Sequence, residues 1–132
     1  MRYNSRILAR ARSDLADIRD ANTAEHERRL NTVYRRVPEI EQIDTRLRIQ
    51  MIELAKLAFS RENDKEEKIL ALKDSNISLQ VRRAELLTGA GFPSSWLDDI
   101  FTCTICHDSG NVPSGLCSCL KQLYRKELSK EM

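Results

Sequence analysis

The chain has 132 residues, of which 32% are charged and only 5% are aromatic, and its formal net charge is +2. This length suits one domain or a helical module with a small appendage, and the shortage of large apolar side chains favours long helices that bury a narrow stripe. No apolar run reaches the roughly 20 residues of a membrane span, and the N-terminus lacks the apolar segment of a signal peptide. We therefore expect a cytoplasmic protein without a membrane partner.

The first predicted helix runs from about Ser5 to Val37 and carries an apolar stripe at spacings of three and four residues. The stripe begins with Leu8, Ala11, Leu15 and Ile18 and resumes one residue out of phase with Leu30, Val33 and Val37. Pro38 ends or kinks this helix and suits the first turn of the next one.

Two further helices follow. The second helix has the most regular stripe in the chain, formed by Ile40, Ile43, Leu47, Met51, Leu54 and Ala58. A charged stretch over residues 60–67 predicts a turn, and a third helix from about Asp64 to Thr88 then places Leu70, Ile77, Ala84 and Leu87 on one face. Together these patterns predict a mainly α fold in which residues 1–91 form a long antiparallel helical hairpin or a three-helix, coiled-coil-like bundle.

The C-terminal part is predicted to begin at a helix stop. Gly89, Gly91 and Pro93 cannot continue the third helix, since glycine favours the left-handed cap conformation and proline blocks propagation. Residues 94–99 have capping-box spacing and predict a short helix. We assign residues 92–120 to this helix plus a small zinc-binding module, and residues 121–132 to a helical linker.

Four cysteines define the predicted metal site: Cys103, Cys106, Cys117 and Cys119. In a reducing compartment, clustered cysteines are more often metal ligands than disulfides, and zinc prefers four such ligands in a tetrahedron. The Cys-x-Cys pair is tighter than the usual Cys-x2-Cys, so His107, and more remotely His26, are alternative ligands, and a redox dithiol is a further reading. With four protein ligands no position remains for a substrate, so the zinc is expected to be structural.

No catalytic or cofactor-binding residues are expected besides the zinc ligands. The chain has no Gly-x4-Gly-Lys-Ser/Thr phosphate loop and no nucleophile elbow, so we expect neither an enzyme nor a small-molecule substrate. The first helix instead carries a stripe of arginines, Arg2, Arg6 and Arg10, whose mutual repulsion weakens an isolated helix. The stripe is either a solvated face or, together with Leu8, Leu15 and Ile18, a surface for a protein partner.

Three segments, taken in order, resemble the N-terminal region of DnaC/DnaI-type bacterial and phage helicase loaders. Residues 34–44 read YRRVPEIEQID and are similar to the family's Y-x-x-(I/V)-P-E-(I/L)-x-x-I-D. Residues 86–97 read LLTGAGFPSSWL and resemble its L-L-x-x-x-G-(F/Y)-P-x-x-(Y/W)-L. Cys103 to Gly110 and Cys117 to Cys119 look like its C-x-x-C-x-D-x-G and C-x-C. The resemblance covers residues 25–124.

The resemblance implies an adaptor function. In that family an N-terminal helical, zinc-bearing domain binds the replicative DNA helicase, and a C-terminal AAA+ ATPase domain binds nucleotide and single-stranded DNA. The chain ends at Met132, where that ATPase domain would begin, so we expect an isolated N-terminal domain and assign ATP binding and contact with single-stranded DNA to the parent protein. The resemblance also supports ligation by four cysteines, although a histidine replaces one of them in some loaders.

Two other functions compete with this one. A DksA/TraR-like regulator of RNA polymerase also joins a helical hairpin to a four-cysteine zinc module, but this chain has a Cys-x-Cys pair, and its acidic tip at residues 62–67 lacks that family's D-x-x-D-x-A pattern. Direct DNA binding by the arginine-rich helix is disfavoured by the net charge of only +2.

Overall fold

The computed structural model describes residues 2–61 and 63–132, so Glu62 in the predicted acidic tip lies outside the described residues. The elements, in chain order, are α1 (Ser5–Arg36), α2 (Pro38–Ala58), α3 (Lys65–Gly89), β1 (Asn111–Val112), β2 (Gly115–Leu116) and α4 (Ser118–Lys130). The predicted mainly α fold, with a helical hairpin and a cysteine-bearing C-terminal module, is confirmed. None of the helices in the described residues has the length and apolar character needed to cross a membrane.

The chain forms two compact units. The terminal unit combines the residues up to Arg28 with Asp98–Met132, and the hairpin unit consists of Arg29–Leu97. The contacts therefore group the chain differently from the boundaries expected at residues 91 and 120, because the N-terminal part of α1 packs with the C-terminal module.

The core of the terminal unit lies between α1 and α4. Its buried side chains are Ile7, Ala11, Leu15, Leu120 and Tyr124. The Tyr124 hydroxyl accepts a hydrogen bond of 2.8 Å from the Asn4 backbone N–H, and the Asn4 side chain accepts from the N–H groups of Arg6 and Ile7 at 3.0 and 3.2 Å. Asn4 thus satisfies free donors at the start of α1. The last helix is part of this core and not an isolated linker.

The hairpin unit pairs α2 with α3 in antiparallel register. The Asp44 carboxylate in α2 accepts hydrogen bonds of 2.6 and 3.3 Å from Arg83 in α3. Further along the two helices, the Gln50 side-chain amide donates a hydrogen bond of 2.7 Å to the Ser75 hydroxyl. At the end of the hairpin opposite its turn, where α2 begins and α3 ends, the last part of α1 contributes to a core made of Val33, Ile40, Leu87 and Leu97.

The phase slip in the α1 stripe has a structural reason. Ala11 and Leu15 are buried in the terminal unit, whereas Val33 is buried in the hairpin unit. The two parts of the stripe therefore belong to the cores of different units. The slip expected from the sequence falls between these two sets of residues.

The predicted short helix over residues 94–99 is wrong, since the structure has a single turn there. Trp96 N–H donates to the Pro93 carbonyl at 3.0 Å, the Arg29 guanidinium lies 4.1 Å from the centre of the Trp96 ring, and Leu97 is buried. One turn fixes several dihedral angles for one hydrogen bond and is favourable as a helix only when further turns follow. Side-chain contacts, not helix propagation, stabilise this turn.

Candidate metal centre

The four cysteines converge in the terminal unit. The Sγ atoms of Cys103 and Cys117 are 3.7 Å apart, those of Cys106 and Cys119 are 3.5 Å apart, and all four lie within 4.8 Å of one another. A disulfide would need sulfurs about 2.05 Å apart. The thiols are therefore free and close enough to hold one metal ion between them.

The first pair of sulfurs sits on a tight turn. His107 and Asp108 both have positive φ values, 53° and 62°, and they fold the chain back so that the Gly110 N–H donates to Cys106 Sγ at 3.3 Å. Burial raises the pKa of Cys106, but this hydrogen bond and those from the neighbouring thiols outweigh it and lower the pKa to about 6. The turn thus favours the thiolate, which is the form that binds metals.

Gly110 is the pivot of this turn. Its φ of 80° is unfavourable for any residue with a side chain, and a Cβ atom there would lie 2.9 Å from Leu15 Cδ2 and 3.1 Å from Leu120 Cδ2. The cysteine turn therefore favours glycine at this position, because a side chain would strain the backbone and displace the two leucine methyl groups.

The second pair of cysteines is placed by the start of α4. After the β1–β2 ribbon the Cys117 N–H donates to the Gly110 carbonyl at 2.9 Å, and Cys117, with extended backbone, immediately precedes the helix, while Cys119 lies in its first turn. The positive end of a helix dipole favours negative charge. Burial raises the pKa of Cys119, and the neighbouring thiols raise it further. The change from coil to helix explains how a Cys-x-Cys pair directs both sulfurs to one point.

Asp108 joins the turn to α1. It is 1% exposed, and its carboxylate accepts hydrogen bonds from the backbone N–H groups of Cys103 at 2.7 Å and Thr102 at 3.0 Å, and from the Asn22 side-chain amide at 3.0 Å. Arg19 donates to the Asp108 carbonyl at 3.2 Å. Burial raises the pKa of Asp108, but these hydrogen bonds and the Arg19 charge hold it below its usual value. The carboxylate therefore remains ionised and fixes the cysteine turn on the helix.

Neither histidine belongs to the sulfur cluster. The His107 ring stacks on Phe101, with ring centres 4.5 Å apart and planes 13° from parallel, and His26 Nε2 lies 3.8 Å from an Asp99 carboxylate oxygen. Among the described residues, the group that can hold a metal consists of the four cysteines alone.

The residues expected to form a partner surface near the start of the chain differ in their exposure to solvent. Leu15 is 3% exposed and offers no surface to a partner, because it is part of the terminal core. Leu8 and Ile18 are partly buried and pack against the same core. The six predicted positions also include Arg2, which is exposed, and Arg6 and Arg10, which both form ion pairs with Glu131.

No protein-family model, curated protein or solved structure matches this chain.

Proposed function

We propose that this chain is the adaptor domain of a DnaC/DnaI-type DNA replication helicase loader, which binds the replicative helicase through its helices and is stabilised by a structural zinc ion. The proposal rests on the tertiary contacts made by the three segments that resemble the loader family. Each of the three segments contributes a side chain that ties separate elements together.

The first segment, residues 34–44, joins separate helices through its first and last residues. The Tyr34 hydroxyl in α1 donates to the Asp44 carboxylate in α2 at 2.5 Å, and Arg83 in α3 donates to the same carboxylate. One partly buried network thus joins three helices. The two ends of the motif therefore meet in a contact that stabilises the hairpin unit, in accord with the resemblance.

The second and third segments, residues 86–97 and 103–119, also make tertiary contacts. Phe92 and Trp96 stack on each other and receive the guanidinium groups of Arg36 and Arg29 at 4.6 and 4.1 Å from the ring centres. In the third segment the aspartate of C-x-x-C-x-D-x-G is Asp108, which fixes the metal turn on α1. The first two motifs therefore stabilise the hairpin unit and the third stabilises the terminal unit, and this structural use of all three supports the proposal.

Zinc fits the four-cysteine site best. Zinc–sulfur bonds of about 2.3 Å in a tetrahedron require sulfur–sulfur distances of about 3.8 Å. The two closest pairs, at 3.5 and 3.7 Å, are near that value. When bound, the ion would be held by Cys103, Cys106, Cys117 and Cys119 and would crosslink the turn to the start of α4. A full set of protein ligands makes it a structural ion, so the adaptor is not itself catalytic.

The proposal places the chain in the cytoplasm as a protein-binding part of a loader. ATP hydrolysis and contact with single-stranded DNA are assigned to the AAA+ domain of the parent protein. The adaptor then supplies the contact that brings the loader to the helicase.

Sedimentation velocity of the full 132-residue chain with the replicative helicase of the same replicon tests this function. The chain, labelled at its N-terminus, should sediment with the helicase at micromolar concentrations, while a helical protein of equal size should not. Sedimentation at the rate of the free chain at all helicase concentrations would refute the proposal. Binding to RNA polymerase core enzyme but not to helicase would favour the DksA/TraR-like alternative.

A further inference from the structure

The hairpin unit exposes large apolar side chains. Met51 in α2 is 69% exposed, and Leu70, Ile77 and Val81 in α3 are 61%, 62% and 53% exposed. Single exposed apolar residues are common, but a contiguous set on one face marks an interaction site. These four side chains mark an interaction site if they lie close together on the hairpin.

A groove runs along one side of the hairpin between α2 and α3. It consists of two adjoining hollows of about 280 and 390 Å³ that share Met51 and Asn76. Leu54, Leu72 and Ile77 line the first hollow, which is mostly apolar. The first hollow therefore has apolar walls, whereas the second also exposes the polar side chains of Asp44, Gln80 and Arg83.

An apolar stripe on α3 meets the groove at Ile77, whereas the other residues of the stripe, Leu70, Val81 and Ala84, do not line the two hollows. The spacing of Leu70, Ile77 and Ala84 is seven residues, with Val81 one turn before the last, so these side chains form a stripe on one face of the helix. Of the residues that the sequence predicted for this stripe, Leu70, Ile77 and Ala84 are exposed, whereas Leu87 is buried in the core of the hairpin unit. The helix pairs with α2 through another face, where Ser75 contacts Gln50. An additional seam at coiled-coil spacing is typical of a helix that receives another helix.

The charged residues that line the groove indicate which kind of helix would bind there. Asp44 and Arg83, which line the second hollow, neutralise each other at 2.6 Å. Within residues 2–61 and 63–132, Lys73 is the charged residue of the groove that has no hydrogen-bond or ion-pair partner. A second copy docked groove to groove by two-fold symmetry would add another Lys73 but no unpaired carboxylate, because Asp44, the carboxylate that lines the second hollow, already pairs with Arg83. A helix with a carboxylate beside its apolar stripe would complement the groove instead.

We infer that this groove, lined by Met51, Leu54, Leu72, Lys73, Asn76 and Ile77, binds an amphipathic helix of the replicative helicase, with the apolar stripe of that helix in the groove and an acidic residue facing Lys73. The inference rests on the proposed adaptor function and names its contact surface. It moves that surface from α1, whose apolar residues serve the terminal core, to the α2–α3 hairpin. Docking would convert the two-helix hairpin into a three-helix bundle.

Fluorescence anisotropy of the N-terminally labelled chain, titrated with the purified replicative helicase, tests the groove. Met51→Glu and Ile77→Glu should each weaken binding at least about tenfold, because each places a charge in the apolar contact. Lys73→Glu should weaken it several-fold, with a larger effect at low salt. Ile52→Glu is the matched control, since Ile52 is 58% exposed on α2 but does not line the groove, and its affinity should stay within about twofold of the wild type.

The outcomes separate the inference from the function on which it rests. No binding by the wild-type chain would refute the adaptor function itself. Wild-type binding that Met51→Glu and Ile77→Glu leave at the level of Ile52→Glu would refute the groove alone. Sedimentation equilibrium of the isolated chain is the third readout: a dimer that Ile77→Glu dissociates and Ile52→Glu does not would assign the groove to a second copy and overturn the inference. Far-UV circular dichroism should show the same helix content in all variants, because every altered side chain is exposed.

Discussion

At the scale of single residues, Asp108 has the largest structural role outside the cysteines. Its carboxylate is buried and accepts three hydrogen bonds, from two backbone N–H groups in the cysteine loop and from Asn22 on α1. Its backbone lies in the left-handed region, where aspartate and asparagine are tolerated better than most residues. One side chain thus fixes both the shape of the turn and its place on the helix.

Asp108→Asn should lower the free energy of unfolding by about 2–4 kcal/mol, because charge-assisted hydrogen bonds are lost and an amide N–H2 group faces the Thr102 N–H donor. Asparagine keeps the left-handed backbone accessible, so the effect reports on the carboxylate. Denaturant unfolding followed by circular dichroism measures the change. Asp98→Asn, at an exposed position, is the control and should change stability by less than about 0.5 kcal/mol. Equal stability of the two variants would contradict the role given to Asp108.

The cysteines could be predicted from the sequence, but the partners of Asp108 could not. Cys-x2-Cys and Cys-x-Cys are local patterns with a chemical meaning. Asn22 lies 86 residues before Asp108, in a helix whose other polar residues look equivalent. Nothing in local spacing distinguishes Asn22 from a solvated residue, so only the tertiary structure identifies it.

At the scale of elements, Tyr34, Asp44 and Arg83 join α1, α2 and α3 of the hairpin unit. Burial raises the pKa of Tyr34 to about 12, and its hydrogen bond to the Asp44 carboxylate contributes to the same shift. An ionised phenol would be partly removed from water and would face a carboxylate. The neutral form is therefore the one that the fold stabilises.

This network predicts how stability depends on alkaline pH. Because the pKa in the folded state lies above the reference value of 10.0, the stabilisation by Tyr34 is fully present below about pH 10 and is lost as pH rises through about 12. A spectrophotometric titration at alkaline pH, taken as the difference between wild type and Tyr34→Phe, should show a midpoint near 12. A difference midpoint near 10 would mean that Tyr34 does not donate to Asp44 in solution.

The helix boundaries could be predicted closely from the sequence. What each apolar helix face packs against could not. Proline and glycine signals placed the ends of α1 and α3 within about two residues of where they are observed. The stripe containing Leu70 and Ile77 exists as predicted but faces outward, since periodicity shows that a helix has an apolar face without showing what covers it. The turn after Pro93 was mistaken for a helix because its capping signals are present although no further turns follow.

At the scale of the whole molecule, the cysteine cluster connects segments that are distant in the chain. Cys103 and Cys106 lie in the loop after the hairpin unit, while Cys117 and Cys119 belong to the start of α4, which packs on the N-terminal part of α1. An ion held by all four sulfurs would add a crosslink worth roughly 10 kcal/mol or more of binding free energy to that unit.

Native mass spectrometry of the full chain and two variants tests the central claim, that four thiolates hold one structural zinc ion. The wild-type chain should carry one zinc ion, Cys103→Ser should lose it, and His107→Ala should retain it, because the His107 ring stacks on Phe101 away from the sulfurs. A metal-free wild-type chain, or loss of zinc in His107→Ala with retention in Cys103→Ser, would contradict the ligand set and the account built on it.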